Sequence, residues 1–333
     1  MEETLRDLEL VMAAHREALA QMRAQQSPRR AAAPVVTSDP RALLMQALTQ
    51  DIERVSGIEM TGMMTAKLNR VLSSVAPSEL EAWVSTLRRL PPTHPEWLSL
   101  IEALTVHETF FHRDRAQLEL LAKLLPELVA DIAGAGRHKL RMWSAGCATG
   151  EEAYTLAILA LLALRDAGHA DDTTDGIVCH RPWSIDVLGT DISRLVLTQA
   201  KAAVYSTEGL SSFRDLPPML QRFFPVMPRT RETGDIEIRG VVPAVRQHVR
   251  FEHFNLMSGA PPETGFDVVL CRNVLIYFTA EARFKAQLGL RRALRPGGIL
   301  LLGPTDSLAD ADAYDLRWGP GAMAYVLKST SHG

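Results

Sequence analysis

The chain has 333 residues, 47% apolar and 23% charged, with 21 glycines and 19 prolines, which excludes a disordered or fibrous protein and leaves room for two domains. A formal charge of -3 excludes general attraction to a nucleic-acid backbone, and Cys147, Cys179 and Cys271 lie in neither metal-ligand nor disulfide spacing, so neither a nucleic-acid partner nor a metal is expected. Met1-Glu2-Glu3 is acidic where a secretory signal is basic, and the longest apolar run, 156–164, is too short for a bilayer, so the expectation is a soluble cytoplasmic protein with no membrane insertion.

Residues 1–26 read as a helix. Leu5, Leu8, Met12, His15, Leu19 and Met22 alternate spacings of three and four, a stripe that either packs on its own domain or meets a partner helix. Residues 27–40 collect Pro28, Pro34 and Pro40 with Arg29 and Arg30 and read as a linker. Over 41–115 the spacing is helical, broken at Gly57, Pro77 and Pro91-Pro92, and predicts a small all-α domain. Residues 62–75 carry Lys67 and Arg70 and no acid, a local basic face for an acidic helix or simply a solvated one.

Residues 116–333 read as a second domain, in which strands and helices alternate after Gly134-Ala135-Gly136. The runs 140–144, 184–189, 249–254, 266–271 and 299–303 read as strands, with helices over 151–167 and 193–203 between them. This predicts an α/β fold, a doubly wound, mostly parallel sheet with helices on both faces and ligands at the carboxyl ends of its strands. The Leu294-Arg295-Pro296-Gly297-Gly298 turn should lead into a further strand, in the manner of a crossover to an antiparallel edge.

The residues after each strand are therefore the ones to read for chemistry. After the first comes Ser144-Ala145-Gly146-Cys147-Ala148-Thr149-Gly150-Glu151-Glu152, a small-residue loop that lets a ligand approach the backbone and opens a helix. No Lys-Ser/Thr pair follows, so it is not a Walker loop. The two glutamates either complement the helix dipole or select a cationic ligand over a phosphate. S-adenosylmethionine, with its sulfonium and ammonium, fits. Asp191 after the second strand can take ribose hydroxyls or cap the next helix. Asn255-Leu256 and Arg272-Asn273 follow the third and fourth strands. In this order the signals favour a class I methyltransferase sheet over a dehydrogenase, whose G-x-G-x-x-G loop is absent.

Three longer motifs carry a resemblance. Thr105-Val106-His107-Glu108-Thr109-Phe110-Phe111-His112-Arg113-Asp114 is similar to N-E-T-x-F-F-R-D, Trp143 to Tyr154 resembles W-S-A-x-x-x-T-G-E-E-P-Y, and Phe266 to Phe278 resembles F-D-x-I-x-C-R-N-V-x-I-Y-F. These are motifs of the CheR family of chemoreceptor glutamate methyltransferases, and the resemblance spans about 41–330. It implies methyl transfer from S-adenosylmethionine to glutamate carboxylates on the cytoplasmic helices of a chemoreceptor, giving methyl esters and S-adenosylhomocysteine. A same-fold enzyme acting on another protein or on a small carboxylic acid is the alternative. Carried over by residue, the resemblance implies a cofactor site of Thr109, His112, Arg113, Glu152, Asp191, Asn255, Leu256, Arg272 and Asn273, with Glu152 at the amino end and Asp191 at the ribose. Arg113 and Tyr277 would lie beside the transferred methyl as catalytic residues. A small β-subdomain is implied as an insert over about 205–250, with 234–239 its most strand-like stretch. The chain departs from the family at His107 (for Asn), His112 (for the second Phe, an aromatic beside the cofactor) and Ala153 (for Pro).

Overall fold

The computed structural model describes residues 39–73, 75–208, 211–228 and 236–329. The stripe over 1–26, nearly all of the linker, and Gly234 and Asp235 of the insert lie outside them. Four helices come first: α1 (Pro40–Ser56), α2 (Gly62–Val71), α3 (Pro77–Leu87) and α4 (Pro95–Leu104). Their starts follow local chemistry. Thr61 accepts from the amide of Met64, His94 accepts from that of Glu96, and Pro95 opens α4, where a missing N–H costs nothing. Trp97 of α4 is buried and donates its indole N–H to Leu87 O at 2.9 Å, tying α4 to the end of α3.

Helix α5 (Arg115–Gly134) then leads to β1 (Lys139–Ala145), α6 (Glu151–Asp166), a hairpin of β2 (Ala170–Thr173) and β3 (Gly176–Cys179), and β4 (Ser184–Asp191). There follow α7 (Arg194–Ala202), β5 (Val204–Ser206), β6 (Ile238–Gly240), the single turn α8 (Pro243–Arg246), β7 (Val249–His253) and β8 (Phe266–Cys271). Helix α9 (Ala280–Ala293), β9 (Leu294–Leu302), β10 (Tyr314–Gly319) and β11 (Ala322–Leu327) complete the described chain.

Seven strands form one sheet in the order β10-β11-β9-β8-β1-β4-β7. The five from β7 to β9 are parallel, and the β10–β11 hairpin closes the far edge antiparallel. The fold is thus the mostly parallel α/β sheet that the alternation predicts. The expectation for residues 294–298 needs correcting. They are the start of β9, which runs parallel to β8 with a register shift at Phe266/Val268, and the antiparallel element is the later hairpin. Full burial of β8 explains its apolar run from Val268 to Cys271, and the buried charge of Asp267 is paired with Arg137 and Arg295. Helix α6, apolar nearly all round, is buried between the sheet, α5, α8 and the β2–β3 hairpin.

The chain passes from β1 outward to β4 and β7, then returns to β8 on the other side of β1. That reversal leaves a crevice above the carboxyl ends of the strands. The insert is a short ribbon of β5 and β6, antiparallel, with a further bridge between Val226 and Arg239. Phe111 joins the motif over 105–114 to it: the Phe111 ring lies 4.9, 5.2 and 4.4 Å from those of Tyr205, Phe213 and Phe224, and its amide donates to Ser212 O at 2.8 Å.

Candidate active site

Above the strand ends lies a cavity of about 1010 Å³, its open mouth included. The loop after β1 forms its floor. The amides of Gly146 and Cys147 both donate to Thr190 O, at 2.8 and 2.9 Å, folding the loop back over β4. Gly146 has φ +81, and a Cβ there would stand 2.4 Å from Val274 Cγ2. Both conditions demand glycine. Gly146→Ala is expected to cost about 1–3 kcal/mol and to weaken ligand binding at the loop. Thermal melts with and without S-adenosylhomocysteine check both, and an unchanged melt in each would mean that the loop tolerates the methyl group.

Asp191, at the end of β4, is 7% exposed. Its Oδ2 accepts from the amide of Ala148 and its Oδ1 from that of Ser193, each at 2.9 Å. It is not the cap of α7, a place taken by Ser193, whose Oγ accepts from Val196 N. Burial pushes its carboxyl above the ordinary range, against the pull of those amides and of His107. A carboxylate offers about four lone-pair sites, so acceptor capacity remains for a ligand beside the amides of Ala148, Ser193 and Ile192. Of the two glutamates that open α6, Glu151 is buried and accepts from the hydroxyls of Thr149 (2.6 Å) and Ser212 (2.8 Å), so it holds the insert. Glu152 lines the cavity.

Glu152 is anchored by a buried network. Its Oε1 accepts from Ser144 Oγ at 2.6 Å and its Oε2 from Arg272 Nε at 2.8 Å. Arg272 also donates through Nη1 to Arg113 O at 2.8 Å and to Gln117 Oε1 at 3.4 Å, and Gln117 in turn donates to Leu302 O. Thus the loop after β8 is bound to the segment that precedes α5. Arg113 donates through Nη1 to Glu108 O at 2.5 Å and lies 5.8 Å from the Phe110 ring.

Helical and sheet segments meet at the mouth. Glu59 N donates to Tyr277 O at 2.7 Å, Thr279 N donates to Gly57 O at 2.9 Å, and Ile58 bridges Phe278. Asn255 ties the loop after β7 to α1, its Nδ2 donating to Val55 O at 2.9 Å while its Oδ1 accepts from Met257 N. The Tyr277 hydroxyl has no hydrogen-bond partner among the described residues.

Thr109, Arg113, Glu152, Asp191, Asn255, Leu256, Arg272, Asn273 and Tyr277 all line this one cavity. His112 does not. It sits buried at φ +64, followed by Asp114 at φ +54, and these left-handed residues turn the chain from the cavity into the start of α5. Its Nδ1 is buried without a partner, and burial, then Arg115, hold its pKa below the usual imidazole value. The expectation that it replaces an aromatic against the cofactor is therefore corrected. His107, noted in the sequence only as a departure, does line the cavity, as do Ser56, Ile58 and Met64 of the helical segment. No spacing in the sequence links those three to the strand ends.

The cavity suits a cationic nucleoside such as S-adenosylmethionine. Two carboxylates with spare acceptor capacity, Asp191 and Glu152, stand on its wall above a loop that admits close backbone approach at Gly146. Ile58, Val106, Phe254, Val274 and Phe278 supply apolar surface for a base.

The chain is similar to known proteins over most of its length. The family described as CheR methyltransferase, SAM binding domain, matches residues 107–317. Chemotaxis protein methyltransferase 1 of Pseudomonas aeruginosa is 34% identical over 67% of this chain and 75% of its own. Chemotaxis protein methyltransferases of Vibrio parahaemolyticus (32% identical, 69% of this chain and 76% of that one) and Pseudomonas putida (30%, 74% and 82%) are similar relatives. With the motif order, the strand-end cavity and the family match in agreement, the chain belongs to the CheR methyltransferase family and carries its SAM-binding domain.

Proposed function

We propose that the protein methylates glutamate side chains on the cytoplasmic helices of a chemoreceptor, forming methyl esters. The observation that carries this reading is that Arg113 and Tyr277 line the same cavity as Glu152 and Asp191. S-adenosylmethionine, when bound, supplies a methyl group on a sulfonium. Asp191 would hold the ribose hydroxyls through its unused lone pairs, and Glu152, held by Ser144 and Arg272, would meet the ammonium.

A glutamate substrate is already ionised, its reference pKa being about 4.3, so no residue need remove a proton. The chain's tasks are to align the carboxylate and to exclude water from it. Arg113 is the orienting cation. Tyr277, with a free hydroxyl, is a donor that fixes one carboxylate oxygen. The apolar wall desolvates the anion, which favours a transfer in which opposite charges cancel. For docking, Lys67 Nζ donates to Thr105 O at 3.4 Å, which leaves Arg70 as the exposed cation of α2 for an acidic receptor helix.

Mass spectrometry of a receptor fragment incubated with the protein and S-adenosylmethionine should find the added mass of one CH2 on glutamate-containing peptides. Tyr277→Phe keeps the ring and deletes one donor, so transfer in a single turnover should fall about tenfold with cofactor affinity unchanged. Arg113→Ala should fall at least as far, and Arg113→Lys should recover little, because an ammonium lacks the planar fork. Full transfer rates in both Tyr277→Phe and Arg113→Ala would remove them from the mechanism.

A further inference from the structure

His107 lines the cavity close enough to the buried Asp191 for each to shift the other's titration. Its ring is held by Thr105, whose Oγ1 lies 2.7 Å from Nε2. A threonine hydroxyl has one proton, and that of Thr105 has two acceptors in reach, Glu102 O at 3.1 Å and His107 Nε2. With that proton on Glu102 O the hydroxyl accepts from the imidazole, and Nε2 carries the hydrogen, the tautomer on which the proposal is built. In the neutral ring Nδ1 is then a bare acceptor, and it has no hydrogen-bond partner among the described residues. We propose that His107 binds the cofactor as a neutral imidazole, Nδ1 accepting from a donor group of the nucleoside, so that a proton on His107 competes with the ligand. The proposal rests on the reading of the cavity as an S-adenosylmethionine site.

The charged groups around the ring come from three elements: Asp191 at the end of β4, Glu102 in α4 and Lys67 in α2. Burial is the largest influence and disfavours the imidazolium. The two carboxylates oppose it, Lys67 reinforces it, and the outcome is a pKa below the usual imidazole value. Glu102 is itself engaged, its Oε1 accepting from Arg194 N and Leu195 N at the start of α7. At neutral pH the ring is thus in its binding form. Below its pKa the competent fraction falls about tenfold per pH unit, and apparent affinity falls with it. The ligand holds the ring neutral, so binding in that range releases a proton. Protonation also places a cation beside a ligand that is itself cationic, so the acid form should reject S-adenosylmethionine more strongly than the uncharged-sulfur product.

The test is calorimetric titration of the full chain with S-adenosylhomocysteine from about pH 5 to pH 8, in two buffers of different ionisation heat, beside His107→Asn and His107→Gln. Asp191 also titrates from a raised value, so the variants isolate the histidine. The wild type should lose affinity about tenfold per pH unit at the acid end and release a proton on binding. Both variants should show a flatter profile and less proton release. Equal slopes and equal proton release in the wild type and whichever variant folds would overturn the role of His107 while leaving the cofactor site intact. Absence of binding heat from every protein at every pH would overturn the site itself, and His107 with it.

Discussion

Arg272→Met is expected to destabilise the protein by about 3–5 kcal/mol, seen as a fall in melting temperature of roughly 5–10 °C. The Arg272 side chain is only 2% exposed, and Glu152 opposite it only 12%. Removing the cation leaves Glu152 Oε2, Arg113 O and Gln117 Oε1 without their donor. It also strands Asp114, whose Oδ2 is buried without a hydrogen bond and lies 3.8 Å from Arg272. Methionine is apolar and of similar length, so lost volume contributes little and the uncompensated acceptors dominate. Adding Glu152→Gln should restore part of the loss, because the neutral amide is less costly to leave unpaired. A double-mutant cycle measures this. Strictly additive effects would mean that the pair is not coupled, against the 2.8 Å contact.

Asp191→Ala is expected to weaken S-adenosylmethionine and S-adenosylhomocysteine alike, by about 3 kcal/mol or on the order of a hundredfold, since both carry the same ribose. Two losses add. The ribose hydroxyls lose a charged acceptor, and the amides of Ala148 and Ser193 lose the oxygens that position the loop after β1 and the start of α7. Asp191→Asn should fall between, since the amide keeps one acceptor and presents an NH2 to whichever backbone N–H remains. Calorimetry with both ligands decides. Unchanged affinity for both would remove Asp191 from the site, and a loss for one alone would place it away from the ribose.

Much of the site can be read in the sequence, because class I sheets place their chemistry in the few residues after each strand. Asp191 and Asn255 are found by locating strand ends, and Arg272 and Tyr277 by the run over 266–278. What escapes such reading depends on backbone turns and distant packing. His112 stands next to Arg113, yet two left-handed residues send it elsewhere. The β2–β3 hairpin hides in Ala-Asp-Asp-Thr-Thr-Asp-Gly, polar enough to pass for loop because only Ala170 and Ile177 of its strands are buried. Leu294 to Gly298 carries Pro-Gly-Gly, turn chemistry by composition, but pairs with β8 through a register shift. The terminal hairpin had a signal in Tyr314 to Trp318, an alternating run before Gly319-Pro320-Gly321. Ser56, Ile58 and Met64 reach the cavity through the backbone pairing of 57–59 with 277–279, which joins segments more than two hundred residues apart.

The central claim, that the methyl acceptor is a glutamate carboxylate, is tested most directly by the alkali lability of the product. A chemoreceptor cytoplasmic fragment is incubated with the full chain and S-adenosylmethionine labelled in its methyl group, then separated and held in mild base. A carboxyl methyl ester hydrolyses there and releases the label as volatile methanol, whereas a methyl group on nitrogen stays on the protein. The account predicts label on the fragment that is released almost entirely by base and is taken up at least about tenfold more slowly when Arg113→Ala replaces the wild type. Label that survives the base treatment, or a fragment that takes up none, would contradict it.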